Sequence, residues 1–163
     1  MTAPSLESWA NFLAAATGAA ATLSGLVFIA LSINLARIVA TPHLPGRAAE
    51  TLVLLIGTVI LCAIGLVPGE SLPVLGAQYL VLGFLLWLTI TVRHLRMRSP
   101  GQSARRAALV GALGQGASLP FIAAGASLMA GHAGGLYWLV PGVAFALVAG
   151  VLNAWVLLVE IVR

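Results

Sequence analysis

The side chains that could do acid–base or metal chemistry are few and widely spaced in this sequence. They are four glutamates (Glu7, Glu50, Glu70 and Glu160) and three histidines (His43, His94 and His132), with no aspartate. Catalysis needs such groups within hydrogen-bond reach of one another, and neither an HExxH motif nor a cysteine pair accompanies the histidines. We therefore expect no enzyme activity, no metal site and no cofactor, and we expect the histidines to be solvated in loops.

Two of the acids are candidates for the mouths of a permeation path. Glu50 follows Arg47 by three residues near the start of an apolar segment, so its plainest role is to stabilise the helix N-terminus and contact Arg47. Its functional alternative is an acid at the inner mouth of a path. Glu7 precedes the first apolar segment, where a carboxylate would raise the local concentration of cations.

A second pattern is polar without being charged. Seven residues follow one another at alternating steps of four and three: Asn11, Ala15, Gly18, Thr22, Gly25, Ile29 and Ser32. Such steps place them on one helix face, which we call the seam. We expect the opposite face, with Leu13 and Val27, to meet lipid or neighbouring helices. The seam either packs against another helix or lines a pore between copies of the chain, where Ile29 would form an apolar constriction.

These residues are carried by an apolar chain. Hydrophobic residues make up 61% of the sequence and charged ones 7%, against about 25% charged in a soluble domain. Five segments have the roughly 20 apolar residues that a membrane span requires; they cover about residues 9–36, 48–67, 72–92, 107–130 and 136–161. We predict one all-α transmembrane domain over residues 1–163, a five-helix bundle whose fourth helix is kinked at Pro120.

The arginines predict the orientation of this bundle. All eight basic residues are arginines, and with the N-terminus outside and the C-terminus inside they all fall on the cytoplasmic side, as the positive-inside rule requires. Five of them lie in a predicted cytoplasmic loop, residues 93–106, where we expect contact with anionic lipid head groups: Arg93, Arg96, Arg98, Arg105 and Arg106. No aromatic platform accompanies these charges, so we expect no nucleic-acid binding.

The fifth segment has a face of small residues at four-residue spacing, Gly142, Ala146, Gly150 and Ala154, which predicts close helix packing. The small faces exceed what five helices need internally, so we expect a homo-oligomer.

The absence of lysine beside abundant Ala, Gly and Arg favours a bacterial protein of the cytoplasmic (inner) membrane. The sequence favours a homo-oligomeric pore or channel around the first helix. The alternative is a non-conducting subunit that scaffolds or regulates a larger membrane complex.

Overall fold

The fold is described from a computed structural model, which covers residues 6–41, 44–96 and 104–162, with side chains for residues 8–41, 44–96 and 108–155. Within those ranges the regular elements are all helices. They are α1 (Leu6–Ile33), α2 (Leu35–Ala40), α3 (Leu44–Ile64), α4 (Leu72–Arg96), α5 (Ala104–Met129), a 3₁₀ helix (Ala133–Trp138) and α6 (Leu139–Val162). Predicted residues Arg98 and His43 lie outside the described ranges, and the side chains of Glu7, Arg105, Arg106 and Glu160 lie outside the described side chains.

Five helical segments are long and apolar enough to cross a membrane. They are Ser8–Ile33, Leu44–Ile64, Leu72–Arg96, Ala108–Met129 and Ala133–Trp155. An α-helix satisfies its own backbone hydrogen bonds, which is what a chain in lipid needs. The all-helical fold and the five membrane-spanning helices are therefore confirmed, and the chain is a multi-span membrane protein.

Consecutive long helices run in opposite directions. Helices α3 and α4 are antiparallel: Glu50 near the start of α3 meets His94 near the end of α4, and further along α3 a Cβ atom placed on Gly57 would lie 2.9 Å from Leu86 Cδ1. In the same way Gly116 of α5 meets Phe145 of α6, and Phe121 meets Gly142. The bundle thus has two ends. At the Arg93 end α3 and α5 begin and α4 finishes, and at the Trp9 end α1 and α4 begin.

Helix α1 occupies the edge of this bundle. It packs chiefly on α3 and to a lesser extent on α6, whereas α4 and α5 make the most extensive helix pair. Of the five spanning segments α1 has the smallest buried share, 22% against 33% to 44% for the others. At the Trp9 end its Trp9 ring stacks edge-on against Tyr137 of the 3₁₀ helix, with ring centroids 5.0 Å apart. One side of α1 is therefore available to something other than its own chain.

The first predicted span, residues 9–36, is interrupted at Asn34. The backbone there leaves helical geometry, with φ −107° and ψ 16°, and the Asn34 amide donates a hydrogen bond of 3.0 Å to the Ala30 carbonyl. Asparagine competes with helix in this way because its side chain bonds nearby backbone groups. The short helix α2 then packs Ile38 against Leu44 and Ala48 of α3.

Two other boundaries bear on the site. Helix α4 continues to Arg96, past the predicted end at residue 92, and so carries His94. Helix α5 is one continuous helix from Ala104 to Met129 with Pro120 inside it, and the kink stays a prediction. Two residues after α5 ends at Met129, Gly131 has a φ of 78°, which lets the chain reverse as αL glycines after helices do.

Candidate functional site

The seam on α1 faces away from its own bundle. All seven of its residues are exposed, from Asn11 at the Trp9 end to Ser32 at the Arg93 end. A Cβ atom placed on Gly18 or Gly25 would meet nothing within 4 Å. The opposite face carries the contacts with the rest of the chain, since Leu13 is fully buried and Val27 is 3% exposed. Of the two surroundings expected for this face, lipid or neighbouring helices, Leu13 and Val27 thus have neighbouring helices.

The exposed surface of α1 changes character along its length. Between Asn11 and Gly25 every exposed residue is small or a short polar one: Asn11, Ala14, Ala15, Gly18, Ala19, Ala21, Thr22 and Gly25. Nearer the Arg93 end the exposed side chains are large, including Leu26, Phe28 and Ile29, each more than half exposed. Small residues allow another helix to approach closely, so the half of α1 from Asn11 to Gly25 has the shape of a helix-packing surface.

The two hydroxyls of the seam are satisfied within the helix. Thr22 Oγ1 donates to the Gly18 carbonyl at 2.8 Å, and Ser32 Oγ donates to the Phe28 carbonyl at 2.9 Å. A hydroxyl has one proton to donate and two lone pairs. With the proton used inside the helix, each outward oxygen is left as an acceptor. These positions therefore tolerate an apolar surrounding and still offer oxygen atoms to a hydrogen-bond donor or a cation.

The small-residue face of α6 lies inside the chain. Gly142, Ala146 and Gly150 are buried and Ala154 is half-buried. A Cβ atom on Gly142 would lie 3.2 Å from the Phe121 ring, and one on Gly150 would lie 2.8 Å from Leu55 Cδ2. This face joins α6 to α5 and α3, so it leaves little surface for a partner. Of the two small faces singled out in the sequence, the seam is the one left uncovered.

The buried acid of the bundle has a partner that the sequence did not indicate. Glu50 of α3 is 7% exposed, and its Oε1 lies 2.7 Å from Nε2 of His94 on α4. This pair corrects two expectations. Glu50 contacts His94 and not Arg47, and His94 lies in helix α4 and not in a loop. Glu50 also lies within the bundle, away from the exposed face of α1, so the structure does not bring it to the seam.

One signal in the sequence could have led to the Glu50–His94 pair. In an antiparallel hairpin the start of α3 and the finish of α4 share one end of the bundle, which places residues 50 and 94 at similar depth. Gly114 of α5 leaves the space that the His94 ring occupies, because a Cβ atom on Gly114 would lie 2.6 Å from His94 Cε1. The sequence placed His94 in a loop only because the predicted span stopped at residue 92.

A second polar cluster lies further into the bundle along α4. Trp87 Nε1 donates to Gln115 Oε1 at 2.6 Å, and Gln115 Nε2 donates to Thr91 Oγ1 at 3.1 Å. Gln115 follows Gly114, so the same part of α5 holds both this cluster and the His94 ring. Hydrogen bonds between helices are one of the forces that hold spans together in lipid, and this cluster ties α5 to α4.

The Trp9 end holds a third group of polar side chains. Gln78 Nε2 donates to Glu70 Oε1, which fastens the α3–α4 connection to α4. The Tyr79 ring is fully buried, and its hydroxyl has no hydrogen-bond partner among the described residues. No group of three or more His, Cys, Asp or Glu residues that could hold a metal ion occurs in the described part of the chain.

Comparisons with protein-family models, with curated proteins and with solved structures give no match for this chain. Its function is therefore argued from the arrangement of its own residues.

Proposed function

We propose that the chain forms a homo-oligomeric pore in a bacterial inner membrane, with α1 of each copy around a shared axis and the seam turned toward that axis. The observation that carries the proposal is the outward direction of the whole seam on the least buried span. A helix that met only lipid would place its large apolar side chains outside, yet from Asn11 to Gly25 the outer face of α1 is small and polar.

The proposed conducting path has two parts. Rings of Asn11, Thr22 and Ser32 would supply polar atoms along the axis, and the acceptor oxygens of Thr22 and Ser32 follow from their bonds within the helix. Between them a ring of Ile29, 56% exposed in the single chain, would form an apolar constriction of the kind that gates by dewetting. In this proposal the protein has no catalytic function.

The second candidate is a non-conducting subunit of a larger membrane complex. The exposed face of α1 has no large side chain between Asn11 and Gly25, which favours this candidate, because a surface of small residues fits a packed neighbour as well as a water-filled axis. In that case the seam would be covered by a helix of another protein, and purified copies of this chain would not assemble through it.

The proposed orientation places the Trp9 end outside and the Arg93 end in the cytoplasm, as arginine-rich connections require. Arg93 and Arg96 lie in the last turn of α4, with Arg96 exposed. Together with Arg98, Arg105 and Arg106 of the sequence they would attract anionic lipid head groups on that side, each contributing about 1 kcal/mol.

Disulfide cross-linking tests the assembly. Gly25→Cys is made in a Cys62→Ala background, because Cys62 is the one native cysteine. A matched control is Gly111→Cys on α5, where an added Cβ atom also meets nothing within 4 Å. In purified membranes we expect oxidation to link the Gly25→Cys chains into dimers and to leave the Gly111→Cys chains largely single. Equal, low linking of both variants would reject a homo-oligomer around α1.

A further inference from the structure

We propose that Glu50 and His94 together form a proton-binding site that is reached from the Arg93 end of the bundle. The two side chains come from different helices and meet at 2.7 Å, between Glu50 Oε1 and His94 Nε2. The carboxylate side chain is 9% exposed and the imidazole side chain 17% exposed. The pair is thus held inside the protein, with the ring keeping a small contact with the surroundings at that end.

Helix α5 contributes its backbone to the site, at Gly114. The edge of the ring lies over Gly114 of α5, where an added Cβ atom would be 2.6 Å from His94 Cε1 and 3.5 Å from Nδ1. No other residue type fits there without displacing the ring. The site therefore lies where α3, α4 and α5 meet. A change in the charge or position of His94 would alter its contacts with both α3 and α5.

The other charges at this end of the bundle are arginines. Among the described side chains at this end, the other charged groups are Arg37 on α2, Arg47 on α3, and Arg93 and Arg96 on α4. The described side chains of α1, α5 and α6 carry no charge. Glu50 is thus the one described acid at an end rich in cations. The net charge of the Glu50–His94 pair depends on whether the pair holds an added proton.

The choice of partner argues for proton binding. Arg47 lies one turn before Glu50 on the same helix, and Arg93 is adjacent to His94, yet the carboxylate contacts the imidazole. An arginine would make a permanent ion pair because its guanidinium keeps its charge. Histidine is the side chain whose charge changes near neutral pH. A buried ionisable pair also gives no stability advantage over a well-packed apolar pair, and in membrane spans such groups mark ion and proton sites.

The proton balance of the site is simple. In the deprotonated state a neutral imidazole donates its Nε2–H to the ionised carboxylate, and the pair has one negative charge. A proton taken from water at the Arg93 end forms an N–H bond at Nδ1, and the pair becomes neutral overall. No other bond breaks. Because the groups touch, the added proton belongs to the pair rather than to either residue.

The site does not depend on the proposed pore, so its test does not measure conduction. The full chain is labelled with 13C and 15N at histidine, placed in detergent micelles, and titrated by NMR between pH 5 and 8. We expect the His94 ring signals of the wild type to change with pH, as uptake of a proton by the pair requires. In Glu50→Gln this pH response is expected to differ from that of the wild type, because the carboxylate that contacts the ring is gone.

Two controls are built into the same experiment. Glu70→Gln removes the described acid of the other end and should leave the His94 signals as they are in the wild type, and the signals of the exposed His132 should be the same in all three proteins. If Glu50→Gln does not fold, His94→Gln with a 13C-labelled Glu50 carboxyl reports the same coupling as a changed pH response of that carboxyl. A His94 pH response that is the same in the wild type and in Glu50→Gln, or His94 ring signals that do not change with pH, would overturn the proposal.

Discussion

Gly76 of α4 and Gly125 of α5 face each other at backbone contact. A Cβ atom on Gly76 would lie 2.9 Å from the Gly125 carbonyl oxygen, and one on Gly125 would lie 2.8 Å from the Gly76 carbonyl oxygen. The next glycine along α4 continues this contact, since a Cβ atom on Gly83 would lie 3.1 Å from the Ile122 nitrogen. The α4–α5 hairpin is therefore the closest helix pair of the bundle, and it positions His94, Trp87 and Gln115.

Gly125→Ala is expected to lower the free energy of unfolding by about 1–3 kcal/mol, the usual cost of overpacking. The added methyl group would stand 2.4 Å from the Leu80 backbone nitrogen, so the helices must separate. Unfolding in detergent with increasing sodium dodecyl sulfate measures the change. Gly111→Ala is the control, because its methyl group meets nothing within 4 Å and helix propensity favours alanine. Equal stability of the two variants would show that α4 and α5 are further apart.

Glu50 and His94 are expected to be energetically coupled. We predict that Glu50→Ala and His94→Ala each destabilise the bundle, because each leaves the other side chain buried without its partner. The double variant should lose less than the sum of the two, with a coupling of about 0.5–3 kcal/mol, the range for residues in direct contact. The same unfolding assay gives the three values. Strictly additive losses would mean that the 2.7 Å contact contributes nothing.

Gln115→Leu is expected to destabilise the bundle by about 1 kcal/mol, the lower end of the range for an unsatisfied buried polar group, because Trp87, Gln115 and Thr91 are partly buried. Trp87 Nε1 would lose its acceptor and Thr91 Oγ1 its donor. Thr89→Val is the matched control, since Thr89 is exposed on α4 and bonds only its own helix at the Leu85 carbonyl. A loss as small as that of Thr89→Val would indicate that the Trp87–Gln115–Thr91 cluster does not hold α5 to α4.

The spans could be predicted from the sequence because lipid imposes a strict requirement on length and polarity. Periodicity could not predict whether a given helix face points into the bundle or out of it. The seam is a clear pattern on α1, yet whether Thr22 points into or out of the bundle depends on how α1 packs against α3. The Glu50–His94 pair was missed for a related reason, since contact between residues 44 positions apart follows from helix pairing and from the absence of a side chain at Gly114.

Gly18→Leu is expected to dissociate the oligomer while leaving the single chain folded. The monomer has open space at this position, and leucine favours helix over glycine by roughly 1 kcal/mol, so the chain itself loses nothing. At an α1–α1 contact the larger side chain would force the helices apart. Native mass spectrometry and light scattering in detergent measure the number of copies. Gly111→Leu on α5, where an added Cβ atom also meets nothing within 4 Å, should keep the wild-type assembly. An unchanged Gly18→Leu oligomer would place the contact elsewhere.

Ion flux into liposomes containing the purified protein tests the proposed pore most directly. Wild type and Ile29→Ala are compared under several ionic gradients and voltages, with Val81→Ala as the control for loss of an exposed apolar side chain on α4. If α1 surrounds a shared axis with Ile29 at its constriction, the wild type conducts, Ile29→Ala conducts more, and Val81→Ala matches the wild type. Liposomes that stay impermeable with both the wild type and Ile29→Ala would contradict the pore.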